Sequence, residues 1–109
     1  VLGNFMEQYD LILSPVLTRP PVKIGEIDMS SKDVATYIER LSAYSCFTGI
    51  YNQTGQPSIS LPLGFSKNDL PIGSMFTAKY GNDELLISIA SQLEEAKPWK
   101  EKKPPIYSN

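Results

Sequence analysis

Prolines at positions 57, 62 and 71 stand against or inside two β-like runs, Ser58–Leu63 and Ile72–Tyr80. Proline has no backbone N–H to donate, so strands tolerate it at edges, at first residues and at bulges. The pattern therefore predicts a hairpin in which Pro57 and Pro62 bound a short strand and Pro71 starts the next. In the first strand Ile59, Leu61 and Leu63 alternate onto one face, while the second run alternates less cleanly. Gly64–Pro71, which holds Asn68 and Asp69, reads as the polar turn between them. On this reading the hairpin is mainly a support.

The rest of the chain divides around that hairpin. Val1–Gln8 reads as the tail of a helix, with Leu2, Phe5 and Met6 on one side. Tyr9–Val16, "YDLILSPV", is nearly all apolar and suits a strand buried on both faces, as in the middle of an α/β sheet. Leu17–Met29 carries Pro20, Pro21 and Gly25 and is irregular. A loop of that length is either functional or lies on protein outside this chain. Ser30–Tyr44 is a helix candidate. Ser30 and Asp33 resemble a capping pair, and Val34, Tyr37, Ile38 and Leu41 recur at helical spacing. Cys46–Tyr51 reads as a further helical turn or a strand; helix is favoured, stopping at Gly55. Asn82–Ala96 is the clearest helix. Asp83 and Glu84 lie near its start, and Leu85, Leu86, Ile89, Ala90 and Leu93 form its stripe. Lys97–Asn109 reads as a flexible tail, with Trp99 anchoring its start.

Residue types exclude several kinds of chemistry. The chain has no histidine and a single cysteine, Cys46. A Ser-His-Asp or Cys-His site within it is impossible, a zinc site is not expected with one Cys and no His, and one cysteine cannot form an internal disulfide. No Gly-x-Gly occurs, so both the dinucleotide and the phosphate-loop fingerprints are absent. A formal net charge of −2 with scattered lysines and arginines gives no nucleic-acid groove. No apolar stretch approaches the ~18 residues of a membrane span. The chain opens Val1-Leu2-Gly3 without Met, and a preceding segment is expected to be missing. No signal peptide is visible, and the expected location is cytoplasmic.

Four motifs, in order and at consistent spacing, go further. They are Asn52-Gln53-Thr54-Gly55-Gln56-Pro57, Leu61-Pro62-Leu63-Gly64, Leu70-Pro71-Ile72-Gly73 and Asp83-Glu84-Leu85-Leu86. Together with the upstream "YDLILSPVLTRPP", they resemble the C-terminal part of amidase-signature enzymes over Tyr9 to Trp99. One departure is Asn68-Asp69, where the family often has Gly before the Leu-Pro; it lies in the turn.

The resemblance implies the C-terminal segment of a single α/β/α domain, residues 1–109, with an antiparallel hairpin packed on helices. As an isolated fragment it should be α+β. It implies an amide C–N hydrolase that works through an acyl-enzyme, with a nucleophilic serine, a bridging serine and a neutral lysine. Nothing in this chain matches those residues, so no catalytic residue is carried over, and no cofactor or metal is expected. Ser30-Ser31 lacks a Gly-rich context and is better read as a helix cap. The implied partners are the N-terminal remainder of the domain and a small amide substrate, with self-association through exposed apolar surface as a further expectation.

The substrate-pocket candidates are Phe47, Thr48, Tyr51, Asn52 and Thr54, around the Asn-x-Thr-Gly turn. Each has a plainer reading: Asn52 and Thr54 as turn-closing side chains, and the aromatics as core. Cys46 has no cation nearby and reads as an inert buried thiol. Lys79 and Lys97 read as solvated. Two other functions stay open at this point. One is a stand-alone interaction module that takes a partner strand on the hairpin edge. The other is part of an amidotransferase subunit.

Overall fold

The computed structural model describes residues 1–104 and Ile106; Pro105 and Tyr107–Asn109 of the expected tail lie outside the described residues. The elements run α1 (Leu2–Phe5), β1 (Leu11–Pro15), α2 (Val34–Tyr44), α3 (Gly49–Thr54), β2 (Ser58–Phe65), β3 (Pro71–Ala78) and α4 (Asp83–Ala96). The three strands form one antiparallel sheet in the order β1-β3-β2.

The prolines fall where missing donors do least harm. Pro57 precedes β2, and Pro71 is the first residue of β3, paired with Phe65. Pro62 does not bound the strand as expected but lies inside β2 at an irregularity, where Leu61 pairs with Ser74 and Gly64 with Ile72, and pairing resumes to Phe65 because a bulge spares the missing N–H. Two residues of β2, Pro62 and Leu63, thus face the single Gly73, which is the count of a β-bulge. The loop joining the strands is closed by the Ser66 hydroxyl, which accepts from the amides of Asn68 and Leu70, each at 3.2 Å.

Cross-strand partners share a face, so the sheet has two distinct sides. On one, Leu61, Phe76 and Ala78 join Leu86 of α4 in the buried core, with Leu11, Ile59, Leu63, Ala90, Leu93 and Trp99 packed around them. The helix stripe and the Trp99 anchor read from the sequence meet here. The other side carries Ser14, Ser58, Ser60, Met75 and Thr77. Thr77 is wholly buried, and its hydroxyl lies 2.8 Å from that of Ser58.

β1 does not have cover on both faces within this chain. It pairs with β3 on one side only, and Leu13 is 66% exposed, because α4 packs over β2 and β3 instead. The second helix starts later than the Ser30 reading. Asp33 is its N-cap, accepting from the Thr36 amide at 3.1 Å, while Ser30 turns to the Asp28 carboxylate. The local Asx turn takes the hydroxyl that the capping reading needed. No residue of α2 is buried; Val34 and Ile38 face outward. The irregular segment before α2 holds it in place. The Thr18 hydroxyl donates to the Ala43 carbonyl at 2.9 Å, and the Arg19 guanidinium lies over the Tyr44 ring.

α3 ends as expected: Gly55 adopts φ 77°, the left-handed conformation that glycine takes without strain. Cys46 is exposed rather than buried, because it stands in the short link between α2 and α3, away from the core. Lys79 and Lys97 are exposed but partnered. Lys79 pairs with Glu7, and Lys97 Nζ donates to the Leu63 carbonyl at the bulge. Lys102 lies over the Phe65 ring, so this stretch rests against the hairpin. No described helix is long and apolar enough to cross a membrane.

Candidate functional site

A cavity of about 330 Å³ opens on the hydroxyl-bearing side of the sheet. Its floor is Ser58, Ile59 and Ser60 of β2 and Met75 of β3; its walls are Val16 after β1, Thr48, Tyr51 and Asn52 around α3, and Gln56. Two features of the sequence build it. The alternation in β2 that turns Leu61 to the core turns Ser58 and Ser60 to this side. The left-handed Gly55 then lets the chain leave α3 and enter β2 with Gln56 against the cavity.

Of the sequence candidates, Thr48, Tyr51 and Asn52 line the cavity, and Phe47 and Thr54 do not. The Thr54 hydroxyl instead donates to the Ile50 carbonyl at 2.7 Å within its own helix. Val16, Gln56, Ser58, Ile59, Ser60 and Met75 were not among the candidates. The strand alternation carries the signal for Ser58 and Ser60, which lie on the face opposite Ile59 and Leu61. Val16 and Met75 are distant in sequence, and only the β1–β3–β2 order brings them together.

The chemistry of the lining is neutral. It offers hydroxyls from Thr48, Tyr51, Ser58 and Ser60 and carboxamides from Asn52 and Gln56, without a carboxylate, lysine, arginine or thiol. Such a wall orients a ligand by donating and accepting hydrogen bonds; it holds no general base poised near neutral pH. The Gln56 Oε1 is buried and without a hydrogen-bond partner among the described residues. No cluster of acidic or Cys side chains among the described residues could hold a metal ion.

The ionisable groups that are perturbed lie elsewhere, near α2. The Arg19 hydrogen bond lowers the Glu26 carboxyl, the Ser30 hydroxyl lowers Asp28, and the Thr36 hydroxyl lowers Asp33. These are exposed structural contacts, not a catalytic pair. A second cavity of about 240 Å³ lies between Pro15–Pro21 and Pro71–Gly73 and is mostly apolar.

Residues 2–87, which include the cavity walls and both strands of the hairpin, match the Amidase family model. The chain belongs to the amidase family. Among the chain's relatives, the 6-aminohexanoate-cyclic-dimer hydrolase of Paenarthrobacter ureafaciens is 38% identical over 106 residues, covering 92% of this chain and 21% of the relative. A glutamyl-tRNA(Gln) amidotransferase subunit from Bdellovibrio bacteriovorus is also 38% identical, over 108 residues, covering 93% of this chain and 21% of that one. A solved structure of 6-aminohexanoate cyclic dimer hydrolase superposes with a TM-score of 0.74 at 38% identity, over 89% of this chain and 21% of that chain. The chain therefore spans about a fifth of the length of the relatives it matches, and the match falls on their C-terminal portion.

Proposed function

We propose that this chain forms one wall of the amide-binding pocket in a serine-dependent amide hydrolase whose nucleophile and base lie outside residues 1–109. The observation that carries the proposal is the neutral hydrogen-bonding cavity formed by Thr48, Tyr51, Asn52, Gln56, Ser58 and Ser60. An uncharged small primary or secondary amide presents N–H donors and a carbonyl acceptor, and this lining offers partners for both. In the proposed reaction a serine hydroxyl, deprotonated by a neutral lysine through a bridging serine, attacks the amide carbonyl. Backbone N–H groups hold the oxyanion, the amine leaves with a proton, and water then releases the acid. This chain contributes position, not proton transfer.

The first test is the size of the native gene product, detected in source cells with an antibody to the hairpin. A band several times heavier than 12.1 kDa supports the reading, and a band at that mass overturns it. In the heavier product, Asn52→Ala should raise KM for a small amide while leaving the enzyme folded. An unchanged KM removes Asn52 from the pocket.

A second reading, part of an amidotransferase subunit, is favoured by the match to the Bdellovibrio bacteriovorus protein. Stoichiometric co-purification of the native product with other subunits selects it, and solitary behaviour selects the plain hydrolase.

A further inference from the structure

Val16 is a wall shared by two cavities. It lines the neutral cavity together with Ser60, and it lines the second one, of about 240 Å³, together with Gly73. The two meet closely. A Cβ on Gly73 would stand 2.6 Å from the Ser60 Oγ and 2.8 Å from a Val16 methyl. The sheet register brings these residues together. Met75 pairs with Ser14 on β1 and Ser60 on β2, and Gly73 follows Met75 onto the same side of β3.

The second cavity has a different chemistry. Pro15, Pro20, Pro21 and Pro71 supply much of its wall. Proline has no N–H to offer a ligand, and its ring fixes φ, so such a wall is apolar and shaped in advance. The polar side chains of the lining are engaged elsewhere. The Thr18 hydroxyl donates to the Ala43 carbonyl, and Arg19 pairs with Glu26 and lies over the Tyr44 ring. What remains suits a neutral apolar group. An apolar cavity of roughly 150 Å³ takes benzene, so this one has room for a group of that size or a short alkyl chain. A few polar groups beside a mostly apolar wall is the usual composition of a small-molecule site.

We propose that the second cavity takes the apolar substituent of the amide whose C–N group lies in the first, and that Val16 sets how long that substituent is. The proposal rests on reading the first cavity as the amide pocket. Continuity decides the occupant. A substituent that extends from an amide beside Ser60 past Val16 enters the second cavity directly, and its burial there removes apolar surface from water. Amides with an alkyl or aryl group are therefore preferred over short ones.

Steady-state kinetics of the native gene product test this on two series of neutral amides. One lengthens the acyl side, from acetamide to hexanamide; the other lengthens the amine side, from N-methylacetamide to N-hexylacetamide. In at least one series kcat/KM should rise about fourfold per added methylene, the value of burying that group. The series that rises identifies the side of the amide bond that enters the cavity. Val16→Ile, which adds a methylene to the shared wall, should lower the ratio of the longest to the shortest amide about fourfold. Val16→Ala, which opens the wall, should raise that ratio. A ratio taken within one protein does not depend on how much of it is folded. Flat or falling values in both series, or the absence of either shift, overturn the proposal while leaving the amide-pocket reading intact; they place protein from the rest of the domain, not substrate, in the second cavity. A native product that hydrolyses no amide overturns both.

Discussion

A Cβ placed on Gly73 would stand 2.6 Å from the Ser60 Oγ and 2.8 Å from a Val16 methyl. Glycine at this point lets β1's exit, the β2 bulge and the central strand come together beside the candidate cavity. Ser60 has room to turn, but a β-branched valine is stiff about χ1. Gly73→Ala should therefore destabilise the chain by about 1–3 kcal/mol, the usual cost of overpacking. Urea unfolding followed by circular dichroism measures it, and an unchanged midpoint means the contact relaxes freely.

The hydroxyl pair of Ser58 and Thr77 is the one polar link between the edge and the buried centre of the hydroxyl-bearing face among the described residues. Thr77→Val keeps the shape and deletes that link. The loss should be about 1 kcal/mol, the net worth of a neutral hydrogen bond. A double-mutant cycle with Ser58→Ala should show coupling of the same order. Additive effects would mean the two hydroxyls do not stabilise one another.

Core and flank should respond differently to truncation. Leu86 is 4% exposed and is the buried residue through which α4 meets the sheet. Leu86→Ala should cost about 2–5 kcal/mol, as large-to-small core changes do. Ile38 on α2 is 50% exposed, so Ile38→Ala in this chain should stay within about 0.5 kcal/mol. Thermal melts of the two variants decide it, and equal losses would show that α2 is packed more tightly than its exposure indicates.

Asp33 provides the pH prediction. The Thr36 hydroxyl and amide, both donating to its carboxylate, hold its pKa below the ordinary value of 3.8. A carboxyl with a lowered folded pKa stabilises above its unfolded pKa, and the contribution is lost as pH falls through the folded one. The N-terminus of α2 should therefore be insensitive to pH from neutrality down to the aspartate range and fray below it. Carbon-detected titration of Asp33 by NMR checks this, and Thr36→Val should move its midpoint upward. No movement would remove the hydroxyl as the cause.

Much of this architecture was legible because it depends on local chemistry. Pro57, Pro62 and Pro71 placed the hairpin, since a missing N–H restricts a strand wherever it occurs. Gly55 marked the end of α3, and the spacing of Leu85, Leu86, Ile89, Ala90 and Leu93 predicted α4, of which Leu86, Ala90 and Leu93 join the core cluster. The order of the four motifs, three of them bearing Pro and Gly, was enough to indicate the family. Where two local devices competed, the reading slipped: Ser30 serves an Asx turn with Asp28, and Asp33 caps α2.

What sequence alone determined was therefore the set of elements, their boundaries to within a few residues, and the chemistry this chain cannot perform. Tertiary structure decided which elements meet. The order β1-β3-β2 brings Val16 and Met75 to the cavity that Thr48, Tyr51 and Asn52 enter, though no local pattern links those positions. It leaves Cys46 in an exposed link and Leu13 on an open edge. The physical reason is that propensity, capping and turn chemistry act over a few residues, whereas burial depends on which distant segments arrive to share it.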